Sequence, residues 1–155
     1  LMIHDLEIVL ALVGDQVASV DGVGVPVFSR SEDIANARLR FVSGCVANIT
    51  CSRVSMERMR KIRIFSSDAY VSTDYAAQEV LVYRKKPGPL RDGMSPMDLI
   101  SIDPLEVHRE EPLKRELESF VDCVRSRTRP LVSGEDALAA LTLAQRIIDS
   151  IRKQT

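Results

Sequence analysis

Few side chains in this sequence are placed to do chemistry. His4 lies at the start of a greasy segment, Leu1-Met2-Ile3 and then Leu6 to Val13, with Asp5 beside it. A neutral imidazole in the first turn of a helix is suited to accept a proton near pH 7. A histidine on a buried helix is also commonly a core residue whose hydrogen bonds are satisfied internally, and spacing does not separate the two readings. Ser52 and Arg53 end a candidate strand, with Arg58, Arg60, Lys61 and Arg63 close behind. Such a run is either a charged strand edge that discourages edge-to-edge pairing or an anion contact, for which guanidinium groups are well suited.

Other chemistries lack their parts. Gly22-Val23-Gly24 continues into Val25-Pro26, whereas a dinucleotide fingerprint requires a third glycine and a helix start directly after it. The glycine pair therefore reads as structural, and no cofactor-binding residue is assigned in this chain. There is no Gly-x-Ser-x-Gly elbow, and Cys51 has no obvious histidine partner, so an activated nucleophile is not visible. His108 stands among Glu106, Arg109, Glu110 and Glu111 and reads as a solvated surface residue. The histidines have no metal-ligand spacing and the three cysteines, Cys45, Cys51 and Cys123, form no Cys-x-x-Cys pair. We expect no metal site, and the odd cysteine count points to a reducing, cytoplasmic setting.

The elements that must position these groups follow from periodicity. Residues 2–13 read as a buried helix. From about residue 16 to 106 the period falls to two. Val23, Val25 and Val27 alternate with Gly22, Gly24 and Pro26, giving a strand with one nearly bare face. Ala35, Ala37, Leu39 and Phe41, then Cys45, Ala47, Ile49 and Cys51, form the apolar face of a hairpin about Ser43-Gly44. Further strands are expected at Arg60–Phe65, Ala69–Asp74, Glu79–Tyr83 and Leu99–Ile102, with a Pro/Gly-rich loop from Lys86 to Pro96 as the candidate mobile segment or lid.

Two helices close the chain. Pro112 suits a first helical position, and Leu113, Leu117, Phe120, Val121 and Val124 make a core-facing stripe. Ser133 with Asp136 resembles a capping box, and the last helix is expected to bury Leu138, Leu141, Ala144, Ile147, Ile148 and Ile151. The order helix, about six strands, two helices predicts an α+β domain over residues 1–155: one mostly antiparallel open sheet with helices on one face. Gly22, Gly24, Asn36, Arg38, Asn48 and Thr50 are expected to share the other face, too polar for a helix-covered core and suited to pairing with a second copy of the chain.

The bulk properties agree with one globular domain. The chain has 155 residues, 45% hydrophobic and 28% charged, with a formal net charge of −1. No basic surplus exists to hold a nucleic acid. The N-terminal apolar run falls short of the roughly 20 residues that span a bilayer and has no basic leader region, so neither a membrane partner nor a signal peptide is expected. Leu1 opens the chain, so either it precedes a starting Met2 or the sequence is a piece of something longer.

Three stretches carry a resemblance. Met2-Ile3-His4-Asp5-Leu6-Glu7, then Glu111-Pro112-Leu113-Lys114 with Glu116-Leu117 and Phe120, then Pro130-Leu131-Val132-Ser133-Gly134-Glu135-Asp136-Ala137-Leu138 resemble, in order, the active-site helix and two last helices of one family's C-terminal domain. This is the glucose–fructose oxidoreductase and inositol dehydrogenase (Gfo/Idh/MocA) family of NAD(P)-dependent enzymes. The resemblance implies hydride transfer between a sugar carbinol carbon and nicotinamide, with His4 as acid/base. It further implies Arg53, Ser52 and Asp5 at the substrate, NAD or NADP held mainly by an N-terminal Rossmann domain not in this chain, and homo-oligomers formed through the open sheet. The stretches 33–38 and 47–55 look most like members acting on nucleotide-linked amino sugars such as UDP-N-acetylglucosamine.

The family pattern Asp-x-x-x-His would put its aspartate immediately before Leu1. The Glu-Lys-Pro motif is also missing from this sequence, so the chain alone is expected to be inactive. The alternative is a freestanding, non-catalytic dimerisation or small-ligand-binding module.

Overall fold

A computed structural model describes residues 2–56, 59–89 and 93–153. The chain divides into two compact units, Leu1–Met56 with Ser119–Thr155, and Glu57–Glu118.

The first unit is built on helix α1 (Ile3–Val13), strands β1 (Val17–Val25), β2 (Ile34–Phe41) and β3 (Val46–Ser52), and a long C-terminal helix, α3 (Gly134–Arg152). Gly14 ends α1 in the left-handed region at φ 63°, its N–H bonded to Leu10 O, the conformation in which glycine carries no Cβ penalty. The three strands form an antiparallel sheet in the order β1-β2-β3. Ala37, Leu39, Phe41 and Ile49 on one face of this sheet are buried with Leu6 of α1 and Leu143, Ile147 and Ile151 of α3. Ser133 and Asp136 form the expected capping box at the start of α3.

The two faces of β1 are the reverse of expectation. Gly22 pairs with Ala37 and Gly24 with Ala35, so the glycines lie on the helix-covered face, and Gly22 is buried. A Cβ on Gly22 would come within 3.0 Å of Ile147 O and 3.2 Å of Ile147 Cγ2. The bare face is therefore where α3 comes close. Its Ser150 hydroxyl accepts from Gly22 N at 3.0 Å, and both Arg146 terminal nitrogens donate to Val17 O at 3.2 Å. These bonds occupy outward backbone groups of an edge strand. Val23 and Val25, 52% and 47% exposed, instead join Asn36, Arg38, Asn48 and Thr50 on the open face. There Asn36 donates to Thr50 Oγ1 at 2.6 Å and Arg38 to Asn48 Oδ1 at 3.3 Å. Alternation states which residues share a face; the space each leaves decides which face a helix can approach.

The second unit holds β4 (Lys61–Phe65), β5 (Ala69–Asp74), β6 (Glu79–Lys85) and β7 (Ile100–Leu105) in an antiparallel sheet of that order. Phe65, Tyr70 and Tyr83 are in register across three strands, their rings stacked at centroid distances of 4.7 and 4.9 Å. The single sheet expected from the alternation is thus two, of three and four strands. The segment after Ser52 leaves the strand path in a turn held by the Ser52 hydroxyl, which ends the β3 ladder. The Lys86–Pro96 loop includes residues 90–92, which lie outside the described residues.

Helix α2 (Pro112–Ser126) begins at Pro112 as its residue type predicts. Its expected core stripe, Leu113, Leu117, Phe120, Val121 and Val124, is 41–61% exposed. On α3 the buried positions are Ala140, Leu143, Ile147 and Ile151, while Leu138 and Leu141 are exposed. Helical spacing identifies an apolar stripe but not what covers it.

Candidate functional site

The antiparallel order puts the end of β1, the start of β2 and the end of β3 at one end of the first sheet. Ser52 and Arg53 lie at that end, next to Asp33, which directly precedes β2. Near that end, burial pushes the Cys51 thiol up from its usual range. A thiol whose pKa is raised by burial is a poorer nucleophile.

His4 is exposed in the first turn of α1, not buried as a satisfied core residue. Met2 at the helix cap makes no side-chain hydrogen bond to that turn, and Asp5 is its acidic residue.

Ser52 and Arg53 are committed to structure. Ser52 Oγ accepts from Val54 N at 3.2 Å, Ser55 N at 3.1 Å and the Ser55 hydroxyl at 2.8 Å. Arg53 donates from Nη2 to Glu32 O at 3.1 Å, and its Nε lies 3.3 Å from Asp33 Oδ1. Half of the Arg53 side chain remains exposed.

Asp33 was not singled out by sequence reasoning. Its Oδ2 accepts from the backbone N–H groups of Val27, Phe28 and Ser29 at 2.8, 2.7 and 2.9 Å. Its Oδ1 accepts from the Ser29 hydroxyl at 2.9 Å and faces Arg53. The backbone amides of Ser29, Phe28 and Val27 hold this carboxyl well below the usual carboxylate range. The available signal was a Ser-rich turn closed by an acid directly before a strand, the setting in which Asp bonds nearby backbone N–H groups.

The glycine pair does not fit a dinucleotide. A phosphate cradle sits at a strand end with a helix start behind it, whereas Gly22 and Gly24 are inside β1 and face Ile147 and Ile151. Among the described residues no group of three or more His, Cys, Asp or Glu could hold a metal ion, and no helix is long and apolar enough to cross a membrane. The basic run after β3 is partly a charged edge, with Lys61 paired to Asp74 at 3.1 Å; Arg58 lies outside the described residues.

This fold and site define a class: an α+β domain that carries an exposed histidine at the start of a helix and, at the end of a strand, an arginine latched to an aspartate. A sequence model of the GFO/IDH/MocA C-terminal domain matches residues 1–72. UDP-N-acetylglucosamine 3-dehydrogenase of Acidithiobacillus ferrooxidans is 32% identical over 144 residues, covering 90% of this chain and 44% of that protein. A solved structure of the same enzyme superposes with a TM-score of 0.86 at 27% identity, covering 97% of this chain and 47% of that one. The WlbA dehydrogenase of Bordetella pertussis, solved with NADH and UDP-GlcNAcA, shares the fold at a TM-score of 0.66 and 21% identity, over 99% of this chain and 42% of that one. The chain is thus similar to the GFO/IDH/MocA C-terminal domain over its first 72 residues and shares the fold of the solved dehydrogenase. It spans 44% of the length of the curated relative it matches.

Proposed function

We propose that this chain is the substrate-binding half of a cytoplasmic NAD- or NADP-dependent oxidoreductase acting on a sugar, in particular a nucleotide-linked amino sugar. The observation that carries the reading is the match to UDP-N-acetylglucosamine 3-dehydrogenase along 90% of the chain. In this reading a Rossmann domain precedes Leu1 in the same polypeptide and holds the cofactor. Subunits pair through the open face of the first sheet, bearing Val23, Asn36, Arg38 and Thr50.

A nicotinamide cofactor, held mainly by the preceding domain, would supply the acceptor for a hydride from the carbinol carbon. His4 takes the hydroxyl proton as that C–H bond breaks, so the alcohol loses two electrons and two hydrogens in all and becomes a ketone. Exposure in a first turn lets the imidazole reach a substrate hydroxyl. Asp5 and Arg53 flank the sugar, and Ser52 keeps the β3 end in place.

The test has two parts. The coding sequence upstream of Leu1 should encode a glycine-rich βα turn, a Glu-Lys-Pro and an aspartate directly before Leu1. The complete protein should then reduce NAD or NADP with UDP-N-acetylglucosamine, and His4→Ala should lower kcat by about 10²- to 10⁴-fold with folding intact. A reading frame that begins at Met2, or turnover indifferent to His4→Ala, would overturn the reading.

A further inference from the structure

The loop between β1 and β2 is unusually well tied for a surface loop. Asp33, 3% exposed, receives three consecutive backbone N–H groups, a hydroxyl and a guanidinium. Ser29 adds a bond to Ser31 O at 2.8 Å, and Asp33 N closes onto Val25 O at 2.9 Å. The loop so constrained presents Phe28, 86% exposed, and two residues on, Arg30, exposed and without an ion pair among the described residues. A large aromatic held out in water by a rigid loop gains free energy only when something covers it. An aromatic side chain and a guanidinium exposed on one loop are groups suited to a planar base linked to phosphate. Both stand on the loop at the end of the first sheet that carries Arg53.

We infer that loop 27–32 reads the nucleoside diphosphate portion of the substrate, Phe28 offering a stacking face to the base and Arg30 a fork to the phosphates. Asp33 is the positioning residue that holds both in place, with Arg53 as its brace. The inference rests on the nucleotide-sugar reading above, and it assigns the specificity for the nucleotide end to residues distinct from the proton-transferring His4. Preorganisation is the physical benefit: a loop already fixed in the binding conformation loses little conformational entropy when the ligand arrives.

The test is calorimetric binding of UDP to the complete protein, in parallel with turnover of UDP-N-acetylglucosamine. UDP is expected to bind, with Phe28→Ala weakening it about tenfold, Phe28→Trp restoring most of the affinity, and Arg30→Ala weakening UDP more than uridine. Phe28 is exposed, so its variants should melt with the wild type, which separates lost contact from lost fold. UDP that binds wild type and Phe28→Ala equally, or does not bind at all, overturns the inference. So does a Phe28→Ala variant whose one change is a smaller assembly, because the loop would then contact a second copy. Phe28-dependent UDP binding without any turnover would sustain this inference while the proposed reaction failed.

Discussion

The Asp33 carboxylate and the Arg53 guanidinium meet at the end of the first sheet, Oδ1 3.3 Å from Nε. Arg53 also donates to Glu32 O, so one side chain from the end of β3 clasps the residues that lead into β2. Asp33→Asn would keep one acceptor oxygen but turn an NH₂ group toward donors, leaving backbone N–H groups or the arginine unmatched. The variant should melt several degrees below wild type and expose the Val27, Phe28 and Ser29 amides to faster hydrogen exchange. Arg53→Ala, at a half-exposed position, should shift the melting temperature less.

Acid should weaken the fold from a defined point. Asp33 is held low by the amides of Ser29, Phe28 and Val27. Asp15 is held low by Ser43 N, Asp74 by the amide of Ala77 and by Lys61, and Asp136 by Ser133. A carboxylate whose folded pKa is depressed contributes stability that is present above its unfolded value and is lost as pH falls through the folded value. Denaturant midpoints should therefore depend little on these groups from pH 7 to 5 and fall below about pH 4. Asp33→Asn should show a shallower acid slope than wild type.

Gly22→Ala puts a methyl group 3.0 Å from Ile147 O and 3.2 Å from Ile151 Cγ1. A backbone carbonyl moves only if α3 moves. The expected cost is about 1–3 kcal/mol, the usual range for overpacking, read as a lower urea midpoint. Gly44→Ala, at φ 89° with nothing near its Cβ, would be destabilised by backbone strain rather than collision.

Leu6 is fully buried and joins α1 to the Leu39, Leu143 and Ile147 cluster. Leu6→Ala should cost about 2–5 kcal/mol by transfer and cavity terms. Since Leu6 lies two residues from His4, the substitution should also loosen the first turn of α1, seen as faster exchange there than in β2.

Self-association is proposed to use the open face of the first sheet. Val23→Lys would place a charge beside Asn36 and Thr50, its in-register neighbours, without touching the helix-covered side. Sedimentation should give a larger assembly for wild type than for the variant at equal concentration. A wild-type monomer at high concentration would remove this face from consideration.

Sequence alone determined the local elements, because each rests on contacts within a few residues. The α1 segment, the β2–β3 hairpin about Ser43-Gly44, Pro112 at the start of α2 and the Ser133–Asp136 cap all follow from side-chain type and spacing. The place of His4 in the first turn of α1 was also legible there.

What tertiary structure decided is where long-range packing outranks pattern. The Gly22–Gly24 face and the Val23–Val25 face are equivalent in a period-two reading. The close approach of Ile147 and Ile151 made the glycine face the inner one. The strands divide between two sheets, β1-β2-β3 and β4-β5-β6-β7, a pairing that alternation along the chain does not encode. The role of Asp33 depended on five donors that converge only once the loop has closed, three of them backbone amides that carry no residue identity. That convergence is a property of the folded loop, and no linear spacing encodes it.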